Sequence, residues 1–398
     1  ENAKAFQEIF HWLKPIYFID NHVSNGADYQ YTFTYISTNK ERLGNSLGTY
    51  FHQEMQPKLI QKMEKSKILN VPYVNILGDS PDEGFPAFMD SPRYATGYTT
   101  LFNIPGTVTE THMLKPYKDR VNATYEYMKH SINFVDENYL DISKKMMEEL
   151  TNYLPNKKYA IRWKLDSTKY SFIDFKGYEA GKKPSEISGK PRLFYDRNKP
   201  FTRKVKFFDT YKADKEIIIP TYYVIPKSEG KIIENLKRNQ IKFKELQSDS
   251  LITVESYKIV DFKTVKNPYE GHYLHFDTQV SSELKTKKFR KGDYLVSTKQ
   301  SGVKFLLETL EPEAVDSYFN WNEFDGILGQ KEYFSDYVFE DTAAELLKTN
   351  KALKTAFELK KASDAKFAED GAAQLDWVYK NSEYYEGSVN QYPIYRIR

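Results

Sequence analysis

The chain has 398 residues, 40% of them hydrophobic, no cysteine, and a net charge of +3 from 58 basic and 55 acidic side chains. Disulfides and thiolate metal sites are excluded, so any metal must be held by His, Asp or Glu; the charge balance gives no reason to expect nucleic acid or an anionic membrane surface as partner. The length suggests two or three folded units, and a mean hydropathy of −0.68 without an apolar run near roughly 18 residues predicts no membrane span.

Residues 1–14 read as an amphipathic helix through Ala5, Phe6, Ile9, Phe10 and Leu13, stopped by Pro15. The chain opens on Glu1 inside this helix, with no initiator or signal segment, which predicts that it begins within a longer gene product. Ile16–Asp20 is a short apolar run of the buried-strand type, followed at once by Asn21 and His22. A helix is expected over about 44–65, bent at Pro57. A Gly-, Pro- and Asp-rich surface loop follows over 78–92, then a strand over 104–110 that ends at Glu110. Residues 116–139 should be a helix with Val121, Tyr125, Met128, Ile132 and Val135 on one face. This order is an α/β pattern.

After about 155 the pattern turns β-rich. Alternation over 157–175 predicts half-buried strands, 176–200 reads as a loop or linker, and strands are expected at 217–219 and 222–225. A helix is predicted over 229–238, mostly strand over 250–310, and helices and loops over 311–398. The 32 Tyr and 26 Phe fit large β-rich cores, and they could also build a sugar- or peptide-binding surface.

Seven histidines are available. His11, His52 and His130 lie on predicted helices and read as structural. His22 stands at the C-terminal end of a buried-type strand, where sites gather in open α/β sheets; Glu110 stands at a similar strand end. On position alone, a surface role stays open for both. Glu270, His272 and His275 cluster in sequence, but strand geometry points His275 away from the other two, so a structural reading is favoured.

The segment FIDNHVSNGADYQYTFTYI (18–36) resembles the part of the zinc carboxypeptidase family that delivers the third metal ligand. SPRYATGYTTLFNIPGTVTETHMLKPYKDRV (91–121) resembles the later part, whose strand ends in the catalytic glutamate. PYEGHYLHFD (268–277) and residues 310–341 resemble a C-terminal extension of a bacterial branch of these peptidases. The resemblance implies an α/β fold: a partial zinc-carboxypeptidase α/β/α sheet domain over 1–150, a β-rich mixed domain over 151–310, and a helical, loop-rich extension over 311–398. It implies Zn²⁺ as cofactor, His22 as a metal ligand, Glu110 as the residue that activates the metal-bound water, and a peptide substrate. It also points to Tyr94 and Tyr98 as catalytic tyrosines and to Arg93 as the cation for the substrate carboxylate. His112 is expected to be structural or to support the ligands. A secreted or periplasmic hydrolase follows.

The family draws its first two ligands from an upstream His-x-x-Glu, and no histidine here is followed three residues later by a carboxylate. Catalytic zinc normally takes three protein ligands. The chain alone is therefore expected to be a poor peptidase, present as a fragment. The alternative is a non-catalytic peptide- or glycan-binding protein on a degenerate peptidase scaffold.

Overall fold

The structure is a computed structural model that describes residues 1–76 and 80–398. The start of the loop expected over 78–92 therefore lies outside the described residues. In the first 150 residues the strands are β1 (Phe18–Ser24), β2 (Phe33–Ser37), β3 (Asn70–Pro72), β4 (Phe85–Pro86) and β5 (Gly106–His112). The helices are α1 (Asn2–Leu13), α2 (Lys40–Leu43), α3 (Asn45–Tyr50), α4 (Gln56–Lys65), α5 (Ala95–Thr100) and α6 (Tyr117–Leu150). A π-helical turn, Phe51–Met55, joins α3 to α4, one residue before the expected bend at Pro57 could begin.

Four of these strands form a mixed sheet in the order β1-β5-β2-β3. β1 and β5 are parallel, β2 is antiparallel to β5, and β3 is parallel to β2. Side chains alternate across the sheet. One face carries Thr107, Thr109 and Phe33 onto α3, α4 and α6, where Phe33, Leu47, Phe51, Met55, Leu59, Tyr127 and Phe134 form a closed core. The other face carries Val108, Glu110 and, on β1, Asp20 and His22; α5 covers its lower end, with Thr96 packed on Gly106.

β1 is an edge strand, and Val23 on it is 53% exposed. The expected apolar face of α6 is a correction. Val121, Tyr125, Met128 and Ile132 are exposed, whereas Ala123, Tyr127, Ser131, Phe134 and Ile142 are buried. The sheet engages the helix through the narrower row, and the broader row is left outward.

Beyond residue 150 come β6 (Lys158–Leu165), β7 (Ser171–Pro184), β8 (Pro191–Phe208), β9 (Tyr211–Ile218), β10 (Tyr222–Ile225) and α7 (Gly230–Arg238). They are followed by β11 (Lys244–Glu245), β12 (Ser250–Thr264), β13 (His275–Phe289), β14 (Tyr294–Ser297) and α8 (Val303–Leu310). Four helices, α9 (Asp336–Thr349), α10 (Lys351–Ser363), α11 (Ala365–Glu369) and α12 (Gly371–Lys380), precede β15 (Gln391–Ile397). The linker expected over 176–200 is instead the outer half of the β7–β8 hairpin. Two of its glycines sit under cross-strand rings: a Cβ on Gly177 would meet Phe201 at 2.4 Å and one on Gly181 would meet Phe194 at 2.8 Å.

β15 threads between β10 and β12 in a six-stranded sheet, order β11-β14-β10-β15-β12-β13. Its Arg396 is 4% exposed and pairs with Glu255 at 2.7 Å and Glu311 at 3.0 Å. One apolar core joins Phe10, Tyr98, Leu101 and Ile104 to Ile161, Tyr223, Leu306, Phe319 and Tyr392, so residues on both sides of the expected boundaries at 150 and 310 share an interior. The chain is a mixed α/β protein with several mixed sheets. Among the described residues, no helix is long and apolar enough to cross a membrane.

Candidate functional site: a carboxylate and imidazole cluster on the open sheet face

The parallel register of β1 and β5 sets His22 beside Glu110 and Asp20 beside Val108. Asn21 and Thr109 face the other way, with Thr109 Oγ1 donating to Asn21 Oδ1 at 2.8 Å. His22 and Glu110 therefore share the face away from α6. On the same strand, His22 Nε2 lies 3.0 Å from Asp20 Oδ2, and the imidazole side chain is 50% exposed. Glu110 is half-buried, and its Oε2 has no hydrogen-bond partner among the described residues.

Burial raises the Glu110 carboxyl above its ordinary pKa; His22 works against this and Asp20 adds to it. A second acid belongs to the cluster. Asp90 is 5% exposed, and burial pushes its pKa up to about 7, opposed by Arg42 and His22 and reinforced by Asp20. Its Oδ2 is also without a partner. The loop that carries it is seated tightly on α5: a Cβ on Gly97 would stand 1.9 Å from the carbonyl oxygen of Ser91. Sequence reading missed Asp90 because an aspartate in a Pro- and Gly-rich stretch looks solvated; only the close approach at Gly97 hints otherwise.

The remaining expected residues fall elsewhere. Arg93 donates through Nε to Asp316 Oδ1 at 2.7 Å and through its backbone N–H to Oδ2 at 2.9 Å. Its guanidinium also lies over Tyr269 and Trp321, at 5.5 and 5.4 Å. A cation held this way is an internal clamp on the loop, not a free receptor for a substrate carboxylate. Tyr98 is buried, with its hydroxyl donating to Asn239 Oδ1 at 2.7 Å and 3.1 Å from His11 Nε2. That places it in the core beneath α5 rather than in the cluster. Tyr94 is 40% exposed, stacks edge-on against Phe88, and feels the charge of Asp90.

His112 is fully engaged: Nε2 faces the Ala27 carbonyl at 2.9 Å and Nδ1 accepts from the Leu114 N–H at 3.1 Å. His275 is buried against Thr264, Asp325 and Asn322, as a structural histidine.

A zinc ion needs converging ligands. His22 supplies one accessible imidazole of suitable chemistry. No group of three or more His, Asp or Glu able to hold a metal occurs among the described residues. Among the described residues, therefore, no complete zinc ligand set comes together. The chain matches no protein-family model, no curated protein and no solved structure.

Proposed function

We propose that the chain carries part of the catalytic face of a zinc-dependent metallocarboxypeptidase, a hydrolase that removes C-terminal residues from peptides. The observation that supports this is the in-register pairing of His22 with Glu110 on one sheet face, an imidazole and a raised-pKa carboxylate side by side. A bound Zn²⁺ would polarise the scissile carbonyl and acidify water; His22 would give it one donor, oriented by Asp20. Glu110 takes a proton from the attacking water and passes it to the leaving amine, a task suited to a carboxyl whose pKa is lifted toward neutrality. Tyr94, exposed and sensing the Asp90 charge, would be the tyrosine to touch substrate. Arg93 holds the loop in place through Asp316. A secreted or periplasmic setting belongs to the same proposal.

The test is hydrolysis of an N-blocked dipeptide with a free carboxyl end, with Zn²⁺ supplied, by a protein in which an upstream His-x-x-Glu segment completes the ligand set, as wild type, His22→Ala and Glu110→Gln. Loss of turnover in both variants, with unchanged circular dichroism, supports the reading; turnover retained by Glu110→Gln rejects it. Metal-independent binding of peptide or glycan that survives His22→Ala, without any hydrolysis, would instead establish the binding-protein alternative.

A further inference from the structure

A separate pocket of about 340 Å³ lies at the β3 side of the four-stranded sheet, within the size range of small-molecule sites. Tyr35 of β2, Tyr73 just after β3, Phe88 after β4 and Phe207 at the end of β8 wall it with aromatic rings. Among its lining residues Asp209 carries the only formal charge. It accepts from the Thr210 hydroxyl at 3.3 Å and enters no ion pair among the described residues.

His52, also in the lining, adds no positive charge at neutral pH: burial lowers its pKa, and its Nε2 is 2.8 Å from the Thr38 carbonyl. Lys40 acts electrostatically on His52 but is not part of the wall, and Glu41 adds a second carboxyl near Asp209. Gln56 is 6% exposed; its Oε1 accepts from the Tyr127 hydroxyl at 3.3 Å, while its Nε2 has no partner among the described residues. An orphaned donor beside a cavity is a cost that a ligand acceptor removes.

We propose that this pocket binds a compact organic cation, an ammonium or guanidinium group on a small apolar body. The charge sits at Asp209, the body lies against the four rings, and a hydrogen-bond acceptor on the ligand meets Gln56 Nε2. Aromatic faces carry negative charge density that attracts a cation. An unpaired carboxylate at the same place selects charge over a neutral isostere. The inference does not depend on the peptidase reading: Asp209 and Gln56 lie outside the His22–Glu110 cluster, although Tyr73 feels the Glu110 charge and Phe88 packs on Tyr94.

The experiment is calorimetric titration with benzylamine, and with benzyl alcohol as its neutral counterpart, on wild type, Asp209→Asn and Phe88→Leu. Saturable one-to-one binding of benzylamine is expected, with benzyl alcohol about tenfold weaker. Asp209→Asn should weaken benzylamine by about tenfold while leaving benzyl alcohol unchanged, and Phe88→Leu should weaken benzylamine. Absence of saturable benzylamine binding, equal affinity for the two probes, or an unchanged affinity in either variant overturns the proposal. Asp209 is exposed, so its asparagine variant should unfold at the wild-type midpoint, separating a binding effect from misfolding.

Discussion

His22 and Glu110 are lateral neighbours on parallel strands, in the same register and on the same face of the sheet. Strand spacing in such a sheet is about 4.8 Å, so two chemically different side chains start one strand's width apart without help from any loop. On the peptidase reading, Glu110→Gln lowers kcat by about 10² to 10⁴-fold and changes KM little. Steady-state kinetics on a blocked dipeptide check this. Asp20→Asn should lower the Glu110 pKa, because the Asp20 charge is one of the influences that raise it; the acid limb of the rate profile then moves to lower pH.

Asp90 makes folding stability depend on pH with a defined sign. Its pKa is about 7 in the fold and 3.8 as its ordinary value, so the folded state holds the proton more tightly than the unfolded state. The stability that this lends is complete below about pH 4 and is lost as pH rises through 7. Between pH 5 and 8 the loss amounts to roughly 2 to 3 kcal/mol. Asp90→Asn cannot titrate, so wild type should fall relative to the variant by that amount over this range. Urea unfolding of both proteins at the two pH values measures it.

Tyr98→Phe tests the placement of that tyrosine in the core. The variant loses the donor to Asn239 and the contact with His11, at a cost of about 1 to 2 kcal/mol of stability. Hydrolysis should be unchanged. A specific loss of kcat with no change in the unfolding midpoint would return Tyr98 to the reacting groups.

Arg396→Ala should be among the most damaging single changes in the chain. It leaves the nearly inaccessible Glu311 without its guanidinium and Glu255 with Arg398 alone. Removing one partner of a buried charge pair costs about 3 to 5 kcal/mol. Arg396→Met should cost less at low pH, because burial raises the Glu311 carboxyl above its ordinary pKa and so favours its neutral form. Thermal unfolding at pH 5 and pH 8 separates the two variants.

The strands that carry His22 and Glu110 were legible because a short apolar run is a local pattern, but both run two residues past the expected ends, to Ser24 and His112, and β1 is an exposed edge rather than a buried strand. The lateral register between them was not, since nothing in either segment states which strands are neighbours. β15 was missed for the same reason: its partners β10 and β12 lie more than a hundred residues away, and its Pro393 and Arg396 disguise a central strand. In 176–200, glycines and lysines read as punctuation, although Gly177 and Gly181 are small because facing rings occupy the space above them. Arg93 looked like a receptor because Asp316, its partner, is 223 residues distant.

The open side of β1 has a further meaning. Any extended polypeptide that aligned with its free N–H and C=O groups would do so through the same contacts that hold β5 on the other side. Its side chains would then flank His22 at one strand's width, and its outer surface would meet the exposed Tyr125, Met128 and Ile132 of α6. The surroundings of His22 are thereby open to whatever strand pairs with that edge.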